Sequence, residues 1–327
     1  MATILALLAV PYNLLMTMTV IEAVPNVSEG RRGDVLEALT AAVSQVPDVS
    51  LVDLCADPSH NRCVMTILGE ADHLLDALLR LYDIAVQTID LRTHHGVHPR
   101  MGAVDVVPFV PVRNASMADC VELSRRLGSA VADRFAVPVF LYAEAANRPE
   151  RRALEAIRCG QFEGLTAKMT AEPWQPDFGP TAPHPSAGAS AIGARGPLIA
   201  FNINLQSADL AAARAIAGTI RERDGGLAGV KALGLRLEHR GIVQVSVNLT
   251  DYTTTSLHQV FVTVEHEATR RGIAVVDSEI VGLVPMAAMM PAAAAALRLG
   301  RFSANLVLEA RLESVGALPP PPPAVAR

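Results

Sequence analysis

The stretch "RTHHGVHPRMGAVDVVPFVP", residues 92–111, gathers His94, His95 and His98 with Arg92, Arg100, Gly96, Gly102 and Asp105. The chain of 327 residues has nine histidines in all, so three within five positions call for a chemical reason. Three readings compete. A metal site would use His94 and His98, four apart and on one face if the stretch were helical. Gly96, Pro99 and Gly102 oppose a helix there, and no HExxH pattern is present. The second reading is a solvated polar loop. The third is acid–base catalysis, because an imidazole titrates near neutral pH and can take and return a proton within one cycle. Glycine and proline fix the loop at the start of an apolar strand. Arg100 offers a planar fork for a carboxylate, and Asp105 could orient an imidazole or a cationic substrate group.

The elements that must position this loop alternate in type. "TVIEAVPN" reads as a strand, "RRGDVLEALTAAVSQV" as a helix, and "VSLVDLCAD" and "RCVMTILGE" as two strands around the loop "DPSHN". "ADHLLDALLRLYDIAVQTI" is an amphipathic helix. "AVDVVPFVPV" is a strand that Pro108 assigns to an edge or a bulge. A helix ("MADCVELSRRLGSAVADRF") and a strand ("VPVFLYAEA") follow. Residues 174–197, rich in Pro, Gly, Ala and Ser, read as a structureless linker or binding loop. The second half repeats the order: "LIAFNINL", a helix, the hairpin of "VKALGLRLEHRGIVQVSVNLTD", a helix, "VVDSEIVGLVP" and the helix "MAAMMPAAAAALRL". The expected fold is α+β: two similar α/β-sandwich, ferredoxin-like βαββαβ subdomains flanking a ligand cleft. The boundaries read as a first subdomain over 19–178, a crossover loop over 179–196 and a second subdomain over 197–313.

Bulk properties narrow the partners. Half the residues are hydrophobic, 19% are charged and the net charge is -5. That is a globular chain with no reason to seek nucleic acid or an anionic membrane, so an anionic ligand needs a local site. Cys55, Cys63, Cys120 and Cys159 include no CxxC pair, which suits scattered thiols in a reducing cytoplasm. The apolar start lacks a positive n-region and is interrupted by Pro11 and Asn13. Residues 1–18 therefore read as an over-long or disordered N-terminus, with the true start at Met16 or Met18. Residues 314–327 read as a disordered proline-rich tail.

In order, "AVPNVSEGRR", "DPSHNR", "HHGVHPRMGAVDVVPFVPV", "VPVFLYAEAA", "DFGPTAPHPSAGASAIGAR" and "LIAFNINL" resemble the formiminotransferase domain of the glutamate formimidoyltransferase family. The resemblance runs from about Val20 to about Glu313. It implies transfer of a formimino group between N-formimino-L-glutamate and tetrahydrofolate in histidine breakdown, by a cytoplasmic homodimer that needs no metal. It puts the catalytic histidine of the "HxGxHPRMGAxD" motif at His98. It puts the folate-binding segment at Gly179, Pro180, Thr181, Ala182, Pro183, His184, Pro185, Ser186, Ala187 and Gly188. Further expected substrate contacts are Arg62, Arg100 and Arg195, each in a loop motif, and Asn26, Asn61, Asn202, Asn204 and Asp105. Asn202 and Asn204 flank Ile203 on a strand and so share a face. His60 is a lesser candidate, and Glu144 is either a helix cap or a site residue. His73, His239, His258 and His266 read as structural or surface residues. Departures from the family pattern are Cys55 in place of an aspartate, Asp57 in place of a glycine and Ala187 in place of a tryptophan; the resemblance covers no cyclodeaminase domain, so a separate protein is expected to supply any cyclisation. The alternatives are formyl transfer at the same site and a catalytically silent folate-binding protein of this fold.

Overall fold

A computed structural model describes residues 19–237 and 240–314. The expected start site, His239 and all of the proline-rich tail past Ser314 lie outside the described residues. The chain divides into two compact units at the Gly196–Pro197 bond. It is mixed α/β with one sheet in each unit.

In the first unit the order is β1 (Val20–Ala23), β2 (Asn26–Val27), α1 (Gly33–Ser44), β3 (Ser50–Asp57), β4 (Arg62–Gly69), α2 (Ala71–Thr88), β5 (Val104–Arg113), α3 (Met117–Phe135), β6 (Val139–Ala143), α4 (Leu154–Arg158), α5 (Gln161–Lys168) and β7 (Ser190–Ala194). Strands β3, β4, β1 and β5 are antiparallel neighbours in that order, and β7 and then β6 extend the sheet in parallel from β5. The helices follow apolar spacing. In α2, Leu74, Ala77, Leu78, Leu81, Tyr82 and Ala85 form the buried stripe. In α3, Ser116 caps the N-terminus in a capping box with Asp119, and Cys120, Leu123, Leu127 and Val131 face the core.

Two expectations change here. The strand β5 lies inside the sheet rather than at its edge, and its pairings with β1 and β2 carry bulge-like register shifts on either side of Pro108, as the bulge alternative expects. Pro108 is tolerated because its missing N–H faces the break between β1 and β2, where Val24 N donates to Pro108 O at 3.0 Å. Inside the supposed structureless linker lies β7, buried at all five residues between β5 and β6. Its small residues make a weak strand signal but suit a strand covered on both faces.

In the second unit the order is β8 (Ile199–Leu205), α6 (Leu210–Ile220), β9 (Val230–Leu237), β10 (Ile242–Leu249), α7 (Leu257–Thr269), β11 (Val275–Val281), α8 (Met286–Ala296) and the short α9 (Leu308–Ser314). The sheet order is β11-β8-β10-β9, antiparallel throughout. Ile199, Ile203, Leu205, Val243, Val245 and Val247 pack against Ile216, Ile220, Val260 and Val264. Among the described residues, no helix is long and apolar enough to cross a membrane.

Candidate active site

Four loops of the first unit converge where β5 begins. Ser28, after β2, donates its hydroxyl to Gly102 O at 2.7 Å, and its amide donates to Ala103 O at 2.8 Å. The loop before β7 docks on the same backbone: Ala103 N donates to Ala187 O at 2.9 Å, and Ala189 N donates to Met101 O at 3.0 Å. The two "HP" motifs thus meet at their glycines, Gly102 opposite Gly188. A methyl group on Gly188 would sit 2.1 Å from Met101 O, at a φ of +69°. On Gly102 it would sit 2.1 Å from Ala189 O. Gly188→Ala is therefore expected to cost about 1–3 kcal/mol of stability from backbone strain alone. Unfolding within about 0.3 kcal/mol of wild type in a urea titration would show that the loops can part without penalty.

The histidines have separate fates. His94 is buried, with Nε2 on Asn61 O at 2.8 Å, and Arg100 Nε donates to its Nδ1 at 3.3 Å. Both ring nitrogens are engaged, so His94 braces the loop and offers no lone pair to a metal. Among the described residues, no group of three or more His, Cys, Asp or Glu is placed to hold one. Exposed on the loop, His95 gives its carbonyl to Asn61 Nδ2 at 3.1 Å.

His98 faces the charged interior. It lines a small cavity with Ser28, His60, Asn61, Arg62, His94, Arg100 and Asp105. Burial, then the positive charges of Arg62 and Arg158, push its ionisation down from the usual 6.5 to about 3. At neutral pH the ring is a neutral base. Arg62 is itself pulled down to about 10 by burial and by Arg158, and stays charged. Arg158 reaches Asp105 Oδ2 through Nη2 at 2.5 Å, and Met101 N donates to Asp105 Oδ1 at 2.8 Å. The Nε atoms of Arg62 and Arg158 are buried without a hydrogen-bond partner. Two buried arginine charges thus stand beside a neutral imidazole.

Several expected contacts are occupied from within the chain. Arg100 spends its fork on Glu163, at 2.9 and 2.7 Å, and its remaining reach on Leu91 O and His94 O. The carboxylate it was expected to hold is the chain's own. Asp105 orients an arginine rather than an imidazole. Asn61, in a left-handed turn (φ +48°), receives Gly30 N on its Oδ1 at 3.1 Å and clamps the histidine loop. Asn26 donates to Val24 O at 2.8 Å. Arg62 opens β4 instead of sitting in a loop. At the far end of β7, Arg195 donates through Nη1 to Gly196 O at 2.9 Å. In the second unit, Asn202 and Asn204 do share a face; Asn202 donates to Glu279 at 3.3 Å, Asn204 pairs with Asp277, and Gln244 donates to Asn204 Oδ1 at 2.9 Å. Glu144 pairs with Arg152 at 2.5 Å and does not reach the cavity.

The 179–188 segment is anchored at both ends. Asp177 is held by Arg151, Phe178 packs against Gly128 of α3, and Gly179 lies against Ala132 and Pro138. His184 Nδ1 accepts Ala187 N at 3.0 Å and Ser186 N at 3.3 Å, closing the "HPSAG" hairpin. Pro180, Thr181, Ala182 and Pro185 are exposed, whereas Ala187 and Gly188 are buried. Arg158 and Glu163 escaped the sequence reading. They lie in short helices, where an arginine in a last turn and a glutamate in a first turn carry no distinguishing signal.

Comparison with known proteins gives this arrangement its class. Residues 20–195 match the model of the formiminotransferase domain, N-terminal subdomain, and residues 200–304 match that of the formiminotransferase domain. The chain belongs to the formiminotransferase family. It is 42% identical over 274 residues to a glutamate formimidoyltransferase of Streptococcus pyogenes, covering 84% of this chain and 92% of that protein. It is 43% identical over 298 residues to a glutamate formimidoyltransferase of Thermoplasma acidophilum, covering 90% and 98%. A formimidoyltransferase-cyclodeaminase of Rattus norvegicus is 45% identical over 280 residues, and the match spans 52% of that protein.

Proposed function

We propose that the protein is a glutamate formimidoyltransferase, moving a formimino group between N-formimino-L-glutamate and tetrahydrofolate, with His98 as its acid–base group. The observation that carries this reading is the neutral His98 beside Arg62 and Arg158, whose Nε atoms lack partners. A glutamate carboxylate seated on those arginines would bring the formimino carbon toward the imidazole. N5 of tetrahydrofolate attacks that carbon, and His98 takes the N5 proton. The tetrahedral carbon then carries three nitrogens, N5, the formimino nitrogen that is transferred with it and the glutamate nitrogen, and an amine leaves only when protonated. His98 delivers its proton to the glutamate nitrogen, the carbon–nitrogen bond breaks, and glutamate departs. Holding both substrates in register supplies a further part of the rate.

The exposed residues 180–182 and 185, rigid at both anchors, support the 179–188 segment as the folate contact. Both strand orders support reading the two units as ferredoxin-like βαββαβ plans, with β6 and β7 added in the first. The family resemblance supports a cytoplasmic homodimer.

The protonation of His98 tests the site directly. Its folded ionisation lies below its unfolded one, so its neutral form favours the fold fully above about pH 6.5 and that contribution is lost as pH falls toward about 3. The acid limb of kcat/KM due to His98 is expected below 6.5. Bound N-formimino-L-glutamate would offset the arginine charges, and its NMR titration midpoint should rise. An unchanged midpoint at saturating ligand would mean that the carboxylate sits elsewhere.

A further inference from the structure

We propose that Asp57 and His60 form an acid–base relay that carries protons between His98 and solvent. The hairpin turn between β3 and β4 sets it up. Asp57 Oδ1 accepts the amides of Ser59 at 2.7 Å and His60 at 3.0 Å, leaving Oδ2 for the His60 ring at Nδ1. Against the burial that would raise it, the hydrogen bonds from His60 and Ser59 hold the Asp57 carboxyl below its usual range. The carboxylate therefore fixes the ring as an Nδ1–H tautomer, leaving Nε2 with a lone pair. The His60 and His98 rings meet edge to face with centroids 6.1 Å apart, within reach of direct or water-bridged proton transfer. His60 keeps 46% of its side chain exposed and lines the same cavity as His98.

The other cavity groups cannot fill this role. Arg62 stays charged, both nitrogens of His94 are engaged, and Asp105 is occupied by Arg158 and Met101 N. The relay rests on the formimino-transfer reading, in which the released amine takes up one proton from solvent. The N5–carbon bond forms, the glutamate nitrogen–carbon bond breaks, and the carbon keeps its oxidation level. The N5 proton passes through His98 to the departing nitrogen. With the amidine protonated before and after transfer, glutamate leaves as R–NH2, and its ammonium form takes one more proton from solvent. That proton enters through His60.

The test is steady-state turnover of wild type, His60→Ala, His60→Gln and Asp57→Asn in dilute buffer, with and without imidazole. His60→Ala and His60→Gln should lose about 10–10²-fold in kcat, with KM little changed. Added imidazole should restore much of that loss in His60→Ala and leave wild type unaffected. Asp57→Asn should lose less, in the same direction. A kcat for both His60 variants within about twofold of wild type, or a loss that imidazole does not restore, overturns the relay. Wild type that transfers no formimino group overturns the function beneath it as well.

Discussion

His98→Ala is expected to lose about 10²–10⁴-fold in kcat while tetrahydrofolate binding stays within a few-fold of wild type. The size follows from the chemistry. Without a base, N5 must attack while keeping its proton, and without an acid, glutamate must leave as an amide anion. One ring supplies both needs. The brace of the loop is His94, which joins Asn61 O to Arg100, rather than His98. His98 is only half-buried, so the variant should fold. Loss of folate affinity equal to the loss of kcat would make His98 a binding residue. A kcat within about threefold of wild type would remove proton transfer from it altogether.

Arg151→Met is expected to cost about 3–5 kcal/mol, because it leaves one partner of a buried ion pair behind. The Arg151 side chain is 1% exposed and that of Asp177 is 7% exposed, at 2.7 Å. Arg151 also donates to Pro173 O at 2.9 Å and to Gln175 O. Asp177 in turn accepts Leu141 N at 2.8 Å and Asn147 Nδ2 at 3.0 Å. This cluster ties the chain entering the 179–188 segment to β6, so activity should fall with stability. A urea-unfolding cost below about 1 kcal/mol would show that Asp177 finds other partners or solvent.

The alternation of strands and helices was legible because each element carries its own period. Leu74 to Ala85 repeat at helical spacing, and Asn202 and Asn204 alternate with Ile203. The strand β7 was not legible, because "SAIGA" has small residues on both faces and sits amid glycine and proline. The loop that holds His94, His95 and His98 stood out by residue type, and the family resemblance singled out His98 within it. What the sequence could not reveal was the division of labour among polar residues. Arg100 and Asn61 resemble ligand contacts, yet fold-specific partners, Glu163 and Gly30, consume them. Arg158 comes to His98 from more than fifty residues away, held there by Asp105 — a contact that only the tertiary fold creates.

The most direct measurement is turnover by purified protein given tetrahydrofolate with N-formimino-L-glutamate, and in parallel with N-formyl-L-glutamate. The account predicts glutamate release and folate product from the formimino donor, dependent on both substrates. Turnover from the formyl donor alone would contradict it, keeping the His98 chemistry but changing the group transferred. Turnover from neither would contradict it entirely.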